Sequence, residues 1–291
     1  VTTVLSKGAL REDHPWSLGD SNSAAGSRAY QEHDVLLAVG ERFAQVDTRW
    51  PWFFPPRRLI HLDEDGREVG RVFAPEVGLV GSLCGSLERV LQWLRQEPGD
   101  RSGWGDLMPG LKAESDRRKV HPVLAALRAA LPREAIVCFD VCVPGFHSRS
   151  DWFCYEPYTY LYPGVYVGMG FGLPAGIGAQ LACPERPVCV VAGDGGFQMT
   201  LAELGTAAQY GLPLVVVVVN DGGLTLIRRV QDRDFAGRRC EVDLANPDFT
   251  ALARSYGIEA CRVETPEALS EAAARAVEGR ELSLIELRIN R

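Results

Sequence analysis

The sequence predicts an α/β protein built from two doubly wound, mainly parallel sheet domains. Short runs rich in β-branched residues alternate with longer segments whose apolar residues recur at helical spacing. Two runs, Pro187–Ala192 and Leu214–Val219, are continuously apolar, as strands buried on both faces are. Between them, Thr200 and Glu203 match a capping box, and Gly211 marks the end of a helix. These features indicate one complete βαβ unit.

The same alternation divides the chain into two domains and a linker. Residues 1–95 form a first, Rossmann-like domain, and residues 119–291 form the second. Residues 96–118 combine Pro, Gly and charge without an apolar rhythm, which is typical of a linker. The candidate strands of the first domain are Val1–Leu5, Val35–Val39, Arg58–Leu62 and Val77–Val80. In the second domain, the remaining candidates are helices at His121–Leu131 and Pro266–Glu278 and strands at Ala135–Phe139 and Leu282–Leu287.

Composition excludes several classes of function. The chain has 291 residues, 46% of them apolar and 24% charged, with a net charge of −7. It has no Lys/Arg-dense stripe, which argues against nucleic-acid binding. Its longest apolar run is far shorter than the roughly 20 residues that span a bilayer. Eight cysteines without a CxxC pair are typical of reduced thiols, so we expect a cytoplasmic protein. The start has no signal-peptide layout. The sequence begins on a candidate strand without Met, and we therefore expect a cut or split chain.

Two acidic residues follow the two apolar strands. Asp194 and Asp221 lie 27 residues apart, each two residues past the end of its strand. The carboxyl ends of parallel strands meet at one rim, where ligands collect. Glycines beside both acids allow backbone N–H groups to crowd a phosphate. Carboxylate and carbonyl oxygens suit magnesium, which is often shared with phosphate. The pair therefore predicts a metal diphosphate site, although a single GDGG would more often be a solvent-facing turn.

A dinucleotide site is the competing interpretation. Gly170, Gly172 and Ala175 fit the G-x-G-x-x-A fingerprint, and Asp194 follows at about the spacing of a ribose-binding acid. However, a turn rather than a strand precedes this segment, and Asp221 is left unexplained. An NAD-binding oxidoreductase is therefore the weaker alternative.

The motifs resemble those of the thiamine-diphosphate-dependent 2-oxo acid enzymes, in particular the acetolactate synthase and benzoylformate decarboxylase group. That family carries GDG, then Asn-Asn some 25 residues later. The matching segments here are Gly193–Gly195, Asn220–Asp221, Gly168–Ala175, Met199–Leu204, Val39–Phe43 and Ile60–Asp63. The resemblance implies an incomplete central domain followed by a thiamine diphosphate-binding domain.

The resemblance also implies roles for individual residues. Asp194, Asp221 and the carbonyl of Gly223 would hold magnesium. Met169 would be the apolar wedge behind a bent cofactor, and the carbonyl of Val167 would accept a bond from its amino group. The remaining residues expected at the cofactor are Gly168, Gly193, Gly195, Gly196, Leu224 and Thr225. When bound, the cofactor supplies the electron sink for loss of carbon dioxide from a 2-oxo acid.

In the family, a glutamate on a separate N-terminal domain activates the cofactor, and no glutamate here matches it. We therefore expect no catalytic residue in this chain alone, and a partner polypeptide that carries the pyrimidine-binding domain, within a hetero- or homo-oligomer. A non-catalytic cofactor-binding or regulatory subunit is the second hypothesis. It is favoured by Cys142-Val143-Pro144, which replaces the family's Gly-Gln-His. FAD is not expected, because Ser82 stands where an acid is common. Val230 replaces the specificity tryptophan of acetolactate synthases.

Overall fold

The computed structural model describes residues 1–48, 55, 58–99 and 102–289. Residues 100 and 101 of the predicted linker and the last two residues of the second domain lie outside that description. Two compact units are present: the first comprises Val1–Val4 and Asp13–Arg118, and the second comprises Leu5–Glu12 and Lys119–Arg291. Both contain parallel sheets with helices, so the predicted α/β class is confirmed.

The first unit contains a three-stranded parallel sheet in the order β1-β2-β3. Its strands are β1 (Val35–Val39), β2 (Arg58–Asp63) and β3 (Val77–Val80), as the β-branched runs predict. Its helices are α1 (Ala24–Glu32), α2 (Gln45–Thr48), α3 (Leu83–Gln96) and α4 (Ser102–Asp116). Ser82 caps α3 by accepting a hydrogen bond from the Gly85 amide, which accounts for a serine at this position.

Two predictions in this unit are wrong. Val1–Leu5 is not a strand: Thr2 forms one isolated bridge with Asp20, no ladder follows it, and residues 4–6 form a 3-10 turn. The stretch predicted as a linker contains α4 in spite of Pro109 within the helix. Met108 and Leu111 of α4 pack with Leu18 and Ala25, and this apolar burial outweighs the weak helix propensity of Pro and Gly.

The second unit contains a six-stranded parallel sheet in the order β5-β4-β6-β7-β9-β8. Its strands are β4 (Ile136–Phe139), β5 (Tyr160–Leu161), β6 (Val188–Gly193), β7 (Leu214–Asn220), β8 (Glu259–Val263) and β9 (Ser283–Arg288). Its helices are α5 (Pro122–Ala130), α6 (Val143–Asp151), α7 (Gly172–Ala182), α8 (Asp194–Thr200), α9 (Glu203–Gln209), α10 (Thr225–Asp234), α11 (Phe249–Ser255) and α12 (Pro266–Gly279). The predicted strands correspond to β4, β6, β7 and β9.

Burial in this unit follows the sequence pattern. The first six residues of β7 and the first five of β6 are buried, as continuous apolar runs covered on both faces should be. Gly211, at a φ of 60°, lies between α9 and β7 as predicted. The capping box is wrong, because Thr200 is the last residue of α8 and its hydroxyl donates to the Gly170 carbonyl instead.

An early segment of the chain carries a buried ion pair of the second unit. The side chains of Lys7 and Glu12 are 0% and 1% exposed and lie 2.5 Å apart. The Lys7 ammonium also faces the ring of Tyr160. Removing one partner of a buried pair leaves an uncompensated charge, whereas removing both does not.

We expect Lys7→Met to destabilise the second unit by about 3–5 kcal/mol, measured by urea unfolding. Lys7→Met/Glu12→Leu should recover most of that loss, because no charge then remains buried. Arg233→Met, which breaks the exposed pair with Asp234, is the matched control and should shift the unfolding midpoint little. A double variant as unstable as the single one would contradict the account.

Candidate cofactor site

The two acids of the motif meet at one rim of the six-stranded sheet. Strands β6 and β7 are parallel neighbours, with Gly193 opposite Val219. Asp194 begins α8 directly after β6, and Asp221 follows β7. The Asp194 carboxylate accepts hydrogen bonds from the Gly195 amide at 2.8 Å and from the Gly223 amide at 3.2 Å. The two loops are therefore joined through Asp194.

Asn246 completes this junction, and the sequence analysis missed it. Its side-chain amide donates to Asp194 at 2.6 Å and to the Asn220 side-chain oxygen at 2.9 Å. Its own oxygen accepts a hydrogen bond from Gln198 at 2.8 Å. Asn246 thus ties the ends of both strands together. No motif spacing pointed to it.

The negative charge of Asp194 is energetically costly because the residue is buried. Asp194 is only 3% exposed. Burial raises the pKa of Asp194 above its ordinary value, the hydrogen bond from Asn246 lowers it, and the negative charge of Asp221 raises it again. A cation at the rim would favour the ionised form of the Asp194 carboxylate.

Two glycines of the motif have no room for a side chain. A Cβ on Gly195 would lie 2.9 Å from a methyl carbon of Leu224, and one on Gly196 would lie 2.9 Å from a carboxylate oxygen of Asp140. Glycine is therefore required sterically at Gly196, because three backbone amides hold the Asp140 carboxylate, whereas a Cβ on Gly195 would displace the end of the Leu224 side chain. Because neither residue has a side chain, a ligand in the cavity can approach the backbone of Gly195 and Gly196 closely.

Asp140 is a second missed residue. It follows β4, is fully buried, and accepts hydrogen bonds from the amides of Val141, Gly170 and Gly172 at 2.6, 3.0 and 2.8 Å. These bonds fix the turn that carries Met169, which lies two residues after Val167, a residue with a φ of 50°. The rule that identified Asp194 and Asp221, an acid just past a buried strand, also fits Asp140.

The same bonds remove the basis of the dinucleotide alternative. A G-x-G-x-x-A fingerprint works by presenting its backbone to a pyrophosphate. Here the amides of Gly170 and Gly172 are bound by Asp140. No strand leads directly into α7 either, because β5 ends at Leu161 and α7 begins at Gly172.

A cavity of about 870 Å³ opens at this rim. Ten of the eleven predicted cofactor-binding residues line it, and Gly168 does not. The ten are Val167, Met169, Gly193, Asp194, Gly195, Gly196, Asp221, Gly223, Leu224 and Thr225. The sequence analysis had not assigned His121, Phe146 or Arg239 to a site, and all three line the cavity as well. No glutamate is among the described residues of its wall.

Other structural findings bear on the predicted class. In the described parts of the chain, no group of three or more His, Cys, Asp or Glu side chains is placed to hold a metal. A site with two carboxylates would leave positions for a backbone carbonyl, water and phosphate, as magnesium commonly has. All eight cysteines are free thiols, with Cys84 and Cys240 exposed rather than buried. Within the described residues, no helix is long and apolar enough to cross a membrane.

The parallel-sheet fold, with two glycine-flanked acids at one rim, is the arrangement expected of a thiamine pyrophosphate (thiamine diphosphate) enzyme. Residues 142–287 match the family's C-terminal TPP-binding domain, and residues 1–90 match its central domain. The chain therefore belongs to the thiamine pyrophosphate enzyme family.

Within that family, the chain is similar to acetolactate synthases and to a decarboxylase. It is 33% identical to the acetolactate synthase large subunit of Parasynechococcus marenigrum, over 100% of this chain and 49% of the relative. It is 33% identical to that of Corynebacterium glutamicum, over 96% and 48%. It is 37% identical to the probable 2-ketoarginine decarboxylase AruI of Pseudomonas aeruginosa, over 93% and 49%. The chain spans about half the length of these relatives.

A matched pair of glycine substitutions tests the packing of the site. Gly196→Ala should lower stability by about 1–3 kcal/mol in urea unfolding, because its Cβ would press on the buried Asp140. Gly178→Ala is the control: nothing lies within 4 Å of its Cβ on α7, and helix propensity should stabilise it by about 0.5–1 kcal/mol. Equal effects of the two substitutions would show that the Asp140 contact is not tight.

Proposed function

We propose that this chain is the diphosphate-binding part of a thiamine-diphosphate-dependent enzyme that decarboxylates or ligates 2-oxo acids. The observation that carries the proposal is the meeting of Asp194 and the Gly223 amide across two neighbouring strand ends. Family membership supplies the cofactor class, and the acetolactate synthase and decarboxylase relatives supply the substrate class.

The residues present suit the cofactor and a magnesium ion. Asp194 and Asp221 would bind the metal with the Gly223 carbonyl, and Gly195 and Gly196 would approach the diphosphate. Met169, on the turn fixed by Asp140, would support the cofactor's bent shape. The bound cofactor would supply the electron sink for carbon dioxide release. The chain's own contribution is to bind, orient and partly enclose it.

The activating carboxylate would come from polypeptide beyond these residues. Its absence from the described cavity wall supports this, because the chemistry needs a glutamate near the cofactor. Apolar surface in the first unit supports it too: all four residues of β3 are exposed, and α3 buries none of its residues. Exposed apolar area of this kind commonly marks an interface. The active form would then be a hetero- or homo-oligomer.

The second candidate is a non-catalytic subunit that binds the cofactor. Val143 and Pro144 favour it, because both line the cavity where the family has polar residues. Activity in the presence of a partner separates the two candidates, since only the first predicts turnover.

Isothermal titration calorimetry tests cofactor binding. Thiamine diphosphate should bind in the presence of magnesium and much more weakly with EDTA, and NAD should not bind. Asp194→Asn or Asp221→Asn should weaken binding at least about tenfold, or roughly 1.4 kcal/mol. Asp234→Asn, an exposed acid outside the cavity, should bind as the parent does. Thiamine diphosphate affinity that is the same with magnesium and with EDTA, and the same in the parent and both motif variants, would refute the site.

A turnover assay tests the need for a partner. The purified chain with cofactor, magnesium and pyruvate should release no carbon dioxide above background, because no glutamate is among the described residues of its cavity wall. Mass spectrometry of copurifying proteins would then identify the partner, whose addition should start turnover. Robust turnover by the chain alone would contradict the partner requirement while leaving cofactor binding intact.

A further inference from the structure

The cavity wall carries both acidic and basic side chains. The acids among them are Asp194 and Asp221, which the proposed function assigns to a metal. The basic groups are His121, Arg228, Arg229 and Arg239. With the acids neutralised by a cation, the remaining wall carries only basic groups among the described residues.

Two of the three arginines already have acidic partners. Arg228 pairs with Asp243 at 2.9 Å, and Arg239 pairs with Asp232 at 2.7 Å. Arg229 has no ion pair or side-chain hydrogen bond with any described residue. It is therefore the guanidinium whose charge is available to a ligand.

Arg229 lies on helix α10, whose first turn is anchored by hydrogen bonds of the neighbouring Arg228. The preceding residue, Arg228, is only 8% exposed and donates to the Val242 carbonyl at 3.3 Å, to Asp243 and to the Thr225 hydroxyl. These bonds anchor the first turn of α10. Arg229, one residue further along this helix, thus projects from a rigid element rather than from a free loop.

His121 lies close enough to sense the charge of Arg229. Burial lowers the pKa of His121 below its ordinary value, and the nearby His147 and Arg229 lower it as well, while Asp151 raises it. The His121 amide donates to the Asp151 carboxylate at 3.0 Å, and His121 and Arg229 both line the cavity. The rings of His121 and His147 lie 4.9 Å apart.

Apolar side chains line the cavity beside these groups. Leu226 and Ile227 precede the arginines on α10, and Phe146 contributes from α6. A ligand suited to this wall has a short apolar stretch that ends in an anion. Guanidinium groups bind carboxylates through paired hydrogen bonds, which gives such a site geometric specificity.

We propose that Arg229, beside His121, binds a second carboxylate at the far end of the substrate, so that the preferred substrates are dicarboxylic 2-oxo acids. This inference rests on the proposed function, because the cofactor site sets where the 2-oxo group lies.

Two ligands of equal chain length, 2-oxoglutarate and 2-oxopentanoate, test the proposal with magnesium present to neutralise the two acids and without thiamine diphosphate. Binding is followed by NMR of the His121 ring. We expect 2-oxoglutarate to bind at least about tenfold more tightly and to raise the pKa of His121, because it offsets the charge of Arg229. Arg229→Gln should abolish both effects. Arg233→Gln is the matched control on α10, since Arg233 is paired with Asp234 and lies outside the cavity.

Equal binding of the two acids, or unchanged binding in Arg229→Gln, would overturn the proposal. A parallel titration with thiamine diphosphate and magnesium separates its failure from that of the proposed function. Cofactor binding without selective 2-oxoglutarate binding refutes the dicarboxylate site alone. Selective, Arg229-dependent 2-oxoglutarate binding without cofactor binding supports the anion site and refutes the function.

Discussion

The site depends on one constraint, which is the confinement of the Asp194 carboxylate beside Asp221 at the ends of two buried strands. A buried charge must be paired or hydrogen-bonded, and much of the surrounding structure meets that need. Gly195, Gly223 and Asn246 all donate to Asp194. These bonds fix the two loops, and no described residue forms an ion pair with Asp194, which is the electrostatic condition for binding a cation.

The network that supports Asp194 extends across the sheet. Asn220 accepts from Asn246 and donates to Glu286 at 2.7 Å, and Glu286 accepts from Arg262 at 2.8 Å. Glu286 is 1% exposed, so Arg262 compensates a charge buried within the sheet. Asp140 has the corresponding role on the other side of β6, where it binds the turn of Met169. The proposed metal end and the proposed cofactor-wedge end are thus each organised by a side chain that does not line the cavity, Asn246 at the first and the buried Asp140 at the second.

The sequence predicted those parts of the structure that follow from local pattern. Strands β6 and β7 were identifiable because both are continuously apolar, and parallel topology then placed Asp194 and Asp221 at one rim. Helix α4 was not predicted, because Pro109 and its glycines have low helix propensity. The helix is stabilised by packing on α1 instead. Asn246 could not be predicted, because it reaches Asp194 through an antiparallel bridge between Gly223 and Asp243, a long-range contact without periodicity. Asp140 directly follows the predicted strand Ala135–Phe139, so the strand-end rule applied to that strand identifies it as well.

A crystal structure of the chain grown with thiamine diphosphate and magnesium tests the central claim most directly. The account predicts a metal about 2.1 Å from carboxylate oxygens of both Asp194 and Asp221 and from the Gly223 carbonyl, with the diphosphate against Gly195 and Gly196. A metal or diphosphate bound elsewhere, with these two acids facing only water, would contradict it.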